Sequence, residues 1–136
     1  MKLVIVMVAL LVSASSAVAQ SSGPRSVLDR VYSTAQAERG EAVFREVCLS
    51  CHATSEFKGD DFHLAWSGRT LRDLFRLIST SMPNDNPGVL SRQQYIDVVA
   101  YLLELNEFPA GDGDLNSDEG VLRRIRIEKA GADERR

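Results

Sequence analysis

The sequence predicts an all-α fold, and three observations predict it. Three segments carry apolar residues at helical spacing, each opened by a side chain suited to an N-cap. Turn-forming residues gather between and after those segments, at Pro83 to Gly88 and at Pro109 and Gly111. No strand-helix-strand pattern precedes the only two cysteines, Cys48 and Cys51.

The composition sets the scale. With 136 residues, a net charge of −3 and 44% hydrophobic content, the chain has room for one small domain. It is not basic enough for a nucleic-acid binder, and no partner of that class is expected.

At the N-terminus, Lys2 is followed by an apolar run from Leu3 to Val12 and by small residues ending Ala17-Val18-Ala19. This is the pattern of a signal peptide at residues 1–19 with cleavage after Ala19, which implies export to the periplasm. The run is well short of the roughly 20 apolar residues a spanning helix needs, so no membrane span is expected once the signal is removed. Of the sixteen basic residues only Lys2 leaves with it, so the mature chain would carry about −4. Residues 20–32, with Gly23 and Pro24, read as a flexible leader.

The first helix starts at Ser33 or Thr34, with Gln36 placed for a capping box, and runs to about Val47 with Val43, Phe44 and Val47 on one face. Gly40 in its interior costs about 1 kcal/mol relative to alanine, which hints at a close approach by another backbone or ring. From Lys58 to Arg69 no period holds, and the stretch reads as a loop folded over something flat. Thr70 and Asp73 open a second helix with Leu71, Leu74, Phe75 and Ile78 on one face, ending before Ser81-Met82-Pro83. Ser91 and Gln94 open a third, with Tyr95, Val98, Val99, Leu102 and Leu105 turned inward. Residues 111–136 form a tail of distinct character, acidic first and then basic, which suits a short helix or, from Arg124 to Glu128, a strand; the helix is the expectation. Its detached charge pattern also suggests docking onto a partner dehydrogenase.

Cys48-Leu49-Ser50-Cys51-His52 is the element that carries chemistry. Two thiols at this spacing can add to the two vinyl groups of one porphyrin, and the following histidine coordinates its iron. A redox disulfide of thioredoxin type would need a βαβ context, and a zinc site built with His63 would need adjacent Cys51 and His52 to chelate one ion. One covalent haem c, bound through Cys48 and Cys51, is therefore the expected cofactor, with His52 as an iron ligand. Met82 is the candidate for the sixth position, because Met1 and Met7 leave with the signal and Ser81-Met82-Pro83 lies in a rigid turn rather than a helix face. His63, eleven positions after His52, is its competitor. Trp66 and Arg69 are candidate donors to a haem propionate. Asp112, Asp114 and Asn116 start like a calcium loop, but Ser117 and Arg123 occupy the positions of its glycine and closing glutamate.

These residues together resemble the class I c-type cytochromes over about Ser33 to Leu115. The likeness rests on Gly40 and Phe44 ahead of the Cys48 to His52 element, on Ser81-Met82-Pro83, and on Val98-Val99-Ala100-Tyr101-Leu102. It implies the small class I cytochrome c fold, three main helices packed around one covalent haem. It also implies a crossing of the first and last helices at Gly40, Phe44 and Tyr101. From Met82 to Leu115 the sequence is similar to cytochrome subunits of periplasmic quinoprotein dehydrogenases. The resemblance implies an electron carrier, not an enzyme, passing single electrons from a dehydrogenase to a terminal oxidase or another cytochrome through small, transient interfaces. The alternative is a five-coordinate haem enzyme or gas sensor in which Met82 is not a ligand. The family commonly has a proline shortly after the haem histidine, whose carbonyl accepts the histidine Nδ1 hydrogen bond. Here Lys58-Gly59-Asp60-Asp61 stands in that region, so another carbonyl, of Gly59 or Asp60, is expected to serve.

Overall fold

The computed structural model describes residues 25–129, so the expected signal peptide, the start of the leader and the last residues of the tail lie outside the described residues. The architecture is mostly helical, as the sequence predicts. In chain order it has β1 (Arg25–Ser26), α1 (Thr34–Val47), α2 (Asp60–Trp66), α3 (Leu71–Ser81), α4 (Arg92–Leu105), α5 (Glu119–Leu122) and β2 (Ile125–Arg126). Short 3₁₀ turns at Val27–Asp29, Cys48–Ser50 and Thr54–Phe57 link them. Among the described residues no helix is long and apolar enough to cross a membrane.

The central packing event is the crossing of α1 over α4. Every residue from Tyr95 to Leu103 of α4 is buried, including Asp97, as expected of a helix with neighbours on all sides. The Asp97 carboxylate accepts from Gln93 Nε2 at 2.7 Å and from Arg39 Nε at 3.2 Å, so its charge is not stranded. At the crossing Gly40 faces the α4 backbone so closely that a Cβ there would stand 1.9 Å from the Asp97 carbonyl oxygen. One turn on, the rings of Phe44 and Tyr101 pack with centroids 5.2 Å apart. The mid-helix glycine is thus explained by helix packing and not by tolerance.

The caps follow the sequence with one departure. Thr70 with Asp73, and Ser91 with Gln94, form complete capping boxes at α3 and α4. At α1, Ser33 Oγ accepts from Gln36 N at 3.1 Å, but the Gln36 amide does not reach back. It is fully buried and pairs instead with Leu115, donating to its carbonyl at 3.1 Å and accepting from its N–H at 2.6 Å.

That diversion belongs to a larger difference from expectation. Residues 111–129 wrap around the helical body instead of standing apart from it, and Leu115, Leu122, Ile125 and Ile127 are all buried in the common core. The stretch contains both of the elements its pattern allowed, a short helix at α5 and then β2, which pairs parallel with β1. Ile127 closes the wrap by donating to the Arg69 carbonyl at 2.9 Å and accepting from Gly68 N at 2.8 Å. Val27, Val31 and Tyr32 are buried as well, so the described part of the leader belongs to the same core.

The span read as a loop from Lys58 to Arg69 contains α2, which corrects that expectation. Gly59 takes φ +71° immediately before it, a conformation glycine adopts without strain. Asp60 and Asp61 then sit in the first turn, where the helix dipole favours negative charge. With seven residues and only Phe62 buried, α2 is too short to show a period.

Candidate functional site

Between α1, α3 and α4 lies a cavity of about 440 Å³ with a mainly apolar lining. Phe44 and Val47 of α1 and Val98 and Leu102 of α4 line it, together with Trp66 of α2 and Leu74, Leu77 and Ile78 of α3. Both cysteines, His52 and Met82 also line it, so with Trp66 five of the seven candidate residues meet in one place.

The Cys48 to His52 element reaches the cavity because the end of α1 tightens. The N–H groups of Cys51 and His52 both donate to the Cys48 carbonyl, at 3.2 and 3.0 Å, which folds the five residues into one compact turn. Both thiols are free, Cys48 half-buried and Cys51 exposed. Burial pushes the Cys48 thiol above its ordinary pKa. The ring of Phe57 stands edge-on to His52, with centroids 5.1 Å apart. Phe57 and the residues just after it are latched from α4's end by Asn106, which donates to the Phe57 carbonyl at 2.8 Å and accepts from Gly59 N at 2.9 Å.

The partner of His52 differs from the carbonyl expected. Its Nδ1 lies 3.0 Å from Oε2 of Glu56. The Gly59 carbonyl is taken by His63 N at 3.1 Å, in the first turn of α2. Glu56 is itself held in place, since Oε1 accepts from Ala53 N at 2.9 Å. Those two bonds, the Ala53 N–H first and His52 second, hold the Glu56 carboxyl below the usual carboxylate range. An ionised carboxylate can only accept, so the proton between the two groups sits on Nδ1 and leaves Nε2 free to coordinate.

Met82 ends α3 in an extended conformation, and its backbone is held from both sides. Its N–H donates to the Ile78 carbonyl at 3.0 Å and its carbonyl accepts from the buried Tyr95 hydroxyl at 2.7 Å. Arg69 does not line the cavity. Its guanidinium stacks on the Trp66 ring, 4.4 Å from the centroid. His63 also lies outside the cavity, in a separate recess lined by Lys58, Asn106 and Glu107. It packs against Phe62 and Phe108, and its Nδ1 is buried without a hydrogen-bond partner among the described residues. The zinc reading fails on the same geometry, since among the described residues no three His, Cys, Asp or Glu side chains come together as a metal site.

The donor set fits a haem. Two free cysteines, a histidine and a methionine line one mainly apolar cavity, and the rest of its wall has little that would compete for iron. The model of the family described as cytochrome c oxidase, cbb3-type, subunit III matches residues 35–102, half of the chain. The chain belongs to this family of cytochrome c domains. Membership carries with it covalently bound haem c and a role in electron transfer. The matched span runs from the start of α1 into α4 and takes in the whole Cys48 to His52 element and Met82, while the C-terminal wrap lies beyond it. Neither the curated proteins nor the solved structures gave a match.

Two contributors escaped the sequence reading. Glu56 stands four residues after His52 and three after Ala53, a spacing that could have marked it as both cap and histidine partner. The periodicity of α4 marks Tyr95 only as an inward core residue, and nothing in the sequence ties its hydroxyl to Met82.

Proposed function

We propose that this cytochrome is a periplasmic carrier of single electrons, exported by the signal at residues 1–19. One haem is attached through Cys48 and Cys51, and its iron is ligated by His52 and Met82. The observation that supports this most is that His52 and Met82 line the same cavity as both cysteines, whereas His63 lines a different recess. When bound, the haem supplies a one-electron ferric/ferrous couple. Cys48 and Cys51 would hold it covalently, and His52, its ring set by Phe57 and Glu56, would be one of its protein ligands. Met82 would be the second protein ligand, which would leave iron closed to substrates and to oxygen. Its thioether favours the ferrous state more than a second imidazole would. The apolar wall, with Val98, Leu102 and Leu74, keeps water from the ring and raises the potential further by disfavouring the extra ferric charge. Trp66, which lines the cavity with Arg69 stacked on its ring, would supply an indole N–H to a propionate.

The electron donor we propose is a dehydrogenase of the quinoprotein class, on the likeness of Met82 to Leu115 to cytochromes that serve such enzymes. A terminal oxidase or another cytochrome would receive the electron.

The sixth ligand is tested by the ferric absorption spectrum. Methionine ligation gives a weak charge-transfer band near the red end, and Met82→Ala should abolish it and let the ferrous protein bind carbon monoxide readily. A native protein that lacks the band, is high-spin and binds carbon monoxide would favour a five-coordinate haem enzyme or gas sensor instead.

A further inference from the structure

We infer that Glu56 is a potential-setting residue: its carboxylate, accepting from Nδ1 of His52, makes this imidazole a stronger donor to iron and holds the haem at a lower potential than a backbone carbonyl partner would. The inference rests on the haem reading above, with His52 as ligand. A histidine bound to a metal through one nitrogen almost always donates the other N–H, and its basicity rises with the strength of that acceptor. A carboxylate is a stronger acceptor than a neutral carbonyl, because the bond is charge-assisted. Greater basicity and a nearby negative charge both favour the ferric state. One electron enters or leaves the iron, and the proton stays on Nδ1 throughout.

Glu56 is half-exposed, so water competes for its carboxylate; what keeps it on His52 is the second bond. Ala53 N–H holds Oε1 at 2.9 Å while Oε2 lies 3.0 Å from Nδ1, and the turn Thr54–Phe57 fixes the spacing between them. Phe57, the next residue, presses its ring edge-on to the imidazole and limits the rotation that would break the bond. Asn106 then anchors the end of the turn through the Phe57 carbonyl. The carboxylate is thus built into the turn that follows the Cys48 to His52 element, at the point where the Gly59 carbonyl is already engaged by α2.

The test is a spectroelectrochemical titration of the haem-loaded protein, comparing the native chain with Glu56→Gln, Glu56→Ala and Asp61→Asn. Glu56→Gln keeps an acceptor of similar shape and removes the charge. Its potential should rise by enough to change the redox equilibrium about tenfold, which is about 59 mV for a one-electron couple. Glu56→Ala should rise at least as far. Asp61→Asn removes an exposed carboxylate with no bond to His52 and should move the potential much less. Unchanged potential in Glu56→Gln, or an equal rise in Asp61→Asn, would overturn the inference while leaving the haem reading intact. A native protein whose haem is lost on denaturation, or is not low-spin, would remove the haem reading and this inference with it.

Discussion

Replacing Gly40 with alanine puts one methyl group into the crossing of α1 and α4. Its Cβ would lie 1.9 Å from the Asp97 carbonyl oxygen, 2.4 Å from the carbonyl carbon and 2.9 Å from Val98 N. All three obstacles are backbone atoms, so no rotamer change relieves them. A carbon meets a carbonyl oxygen comfortably at about 3.3 Å, so the helices must separate by roughly 1.4 Å at this point. A gap of 0.5–1 Å already forfeits a quarter to a half of a dispersion contact, and this opening would loosen Phe44 from Tyr101. Overpacking of this kind costs about 3 kcal/mol or somewhat more, and better helix propensity returns about 1, which leaves a net loss of about 2 kcal/mol. With a slope of about 1–3 kcal/mol per molar urea, the unfolding midpoint of the haem-loaded protein should fall by roughly 1 M, followed by circular dichroism. Phe44 and Val98 line the cavity, so the visible spectrum should broaden or shift as well. A Gly40→Ala protein with a native midpoint and spectrum would refute the close crossing.

Two further outcomes follow from the wrap and its polar contacts. Truncation after Ser117 removes Leu122, Ile125 and Ile127, each at most 1% exposed; truncating one such residue to alanine typically costs about 2–5 kcal/mol, so their joint loss should exceed the total stability of a small domain. Limited proteolysis should then digest the shortened chain rapidly, and native-like resistance would mean the wrap is an accessory. Asp114 and Asp73 are both held below the ordinary carboxylate value of 3.8, the first by Ser33 and Arg39 and the second by Thr70. The unfolded chain therefore binds these protons more readily, so the stability they give is complete above about pH 4 and is lost as pH falls through the lowered values. The urea midpoint of Asp114→Asn should lie below that of the native protein at neutral pH, and the gap should narrow as the pH is taken down through the acid range below the ordinary carboxylate value; a gap that stays constant with pH would contradict this.

Much of the frame was legible because it is locally encoded. α1, α3 and α4 each carry a side-chain cap and enough apolar repeats to show their face, and Cys48, Cys51 and His52 form one contiguous element. Even the helix crossing left a trace, since Gly40 is costly in a helix unless another backbone needs the space. What was not legible depends on partners far away in the chain. Gln36 is a good capping-box residue by spacing, yet its amide pairs with Leu115, 79 positions on. The alternating apolar residues after Val121 look like a free amphipathic tail until Arg25, Gly68 and Arg69 supply the backbone groups they pair with. α2 was missed for the opposite reason: it is local but has too few buried positions to make a period. At the site, the two cysteines, His52 and Met82 were named from sequence, but the groups that position them were not. Glu56 and Tyr95 act through single polar atoms, and such contacts depend on where a turn or a helix face ends up in space.

The measurement that bears most directly on the whole account is extraction of the purified, exported protein with acidified acetone, followed by the mass of the precipitated chain. Covalent attachment through Cys48 and Cys51 predicts that the pigment stays with the protein and that the chain is heavier by one haem. A colourless precipitate of unmodified mass would contradict it.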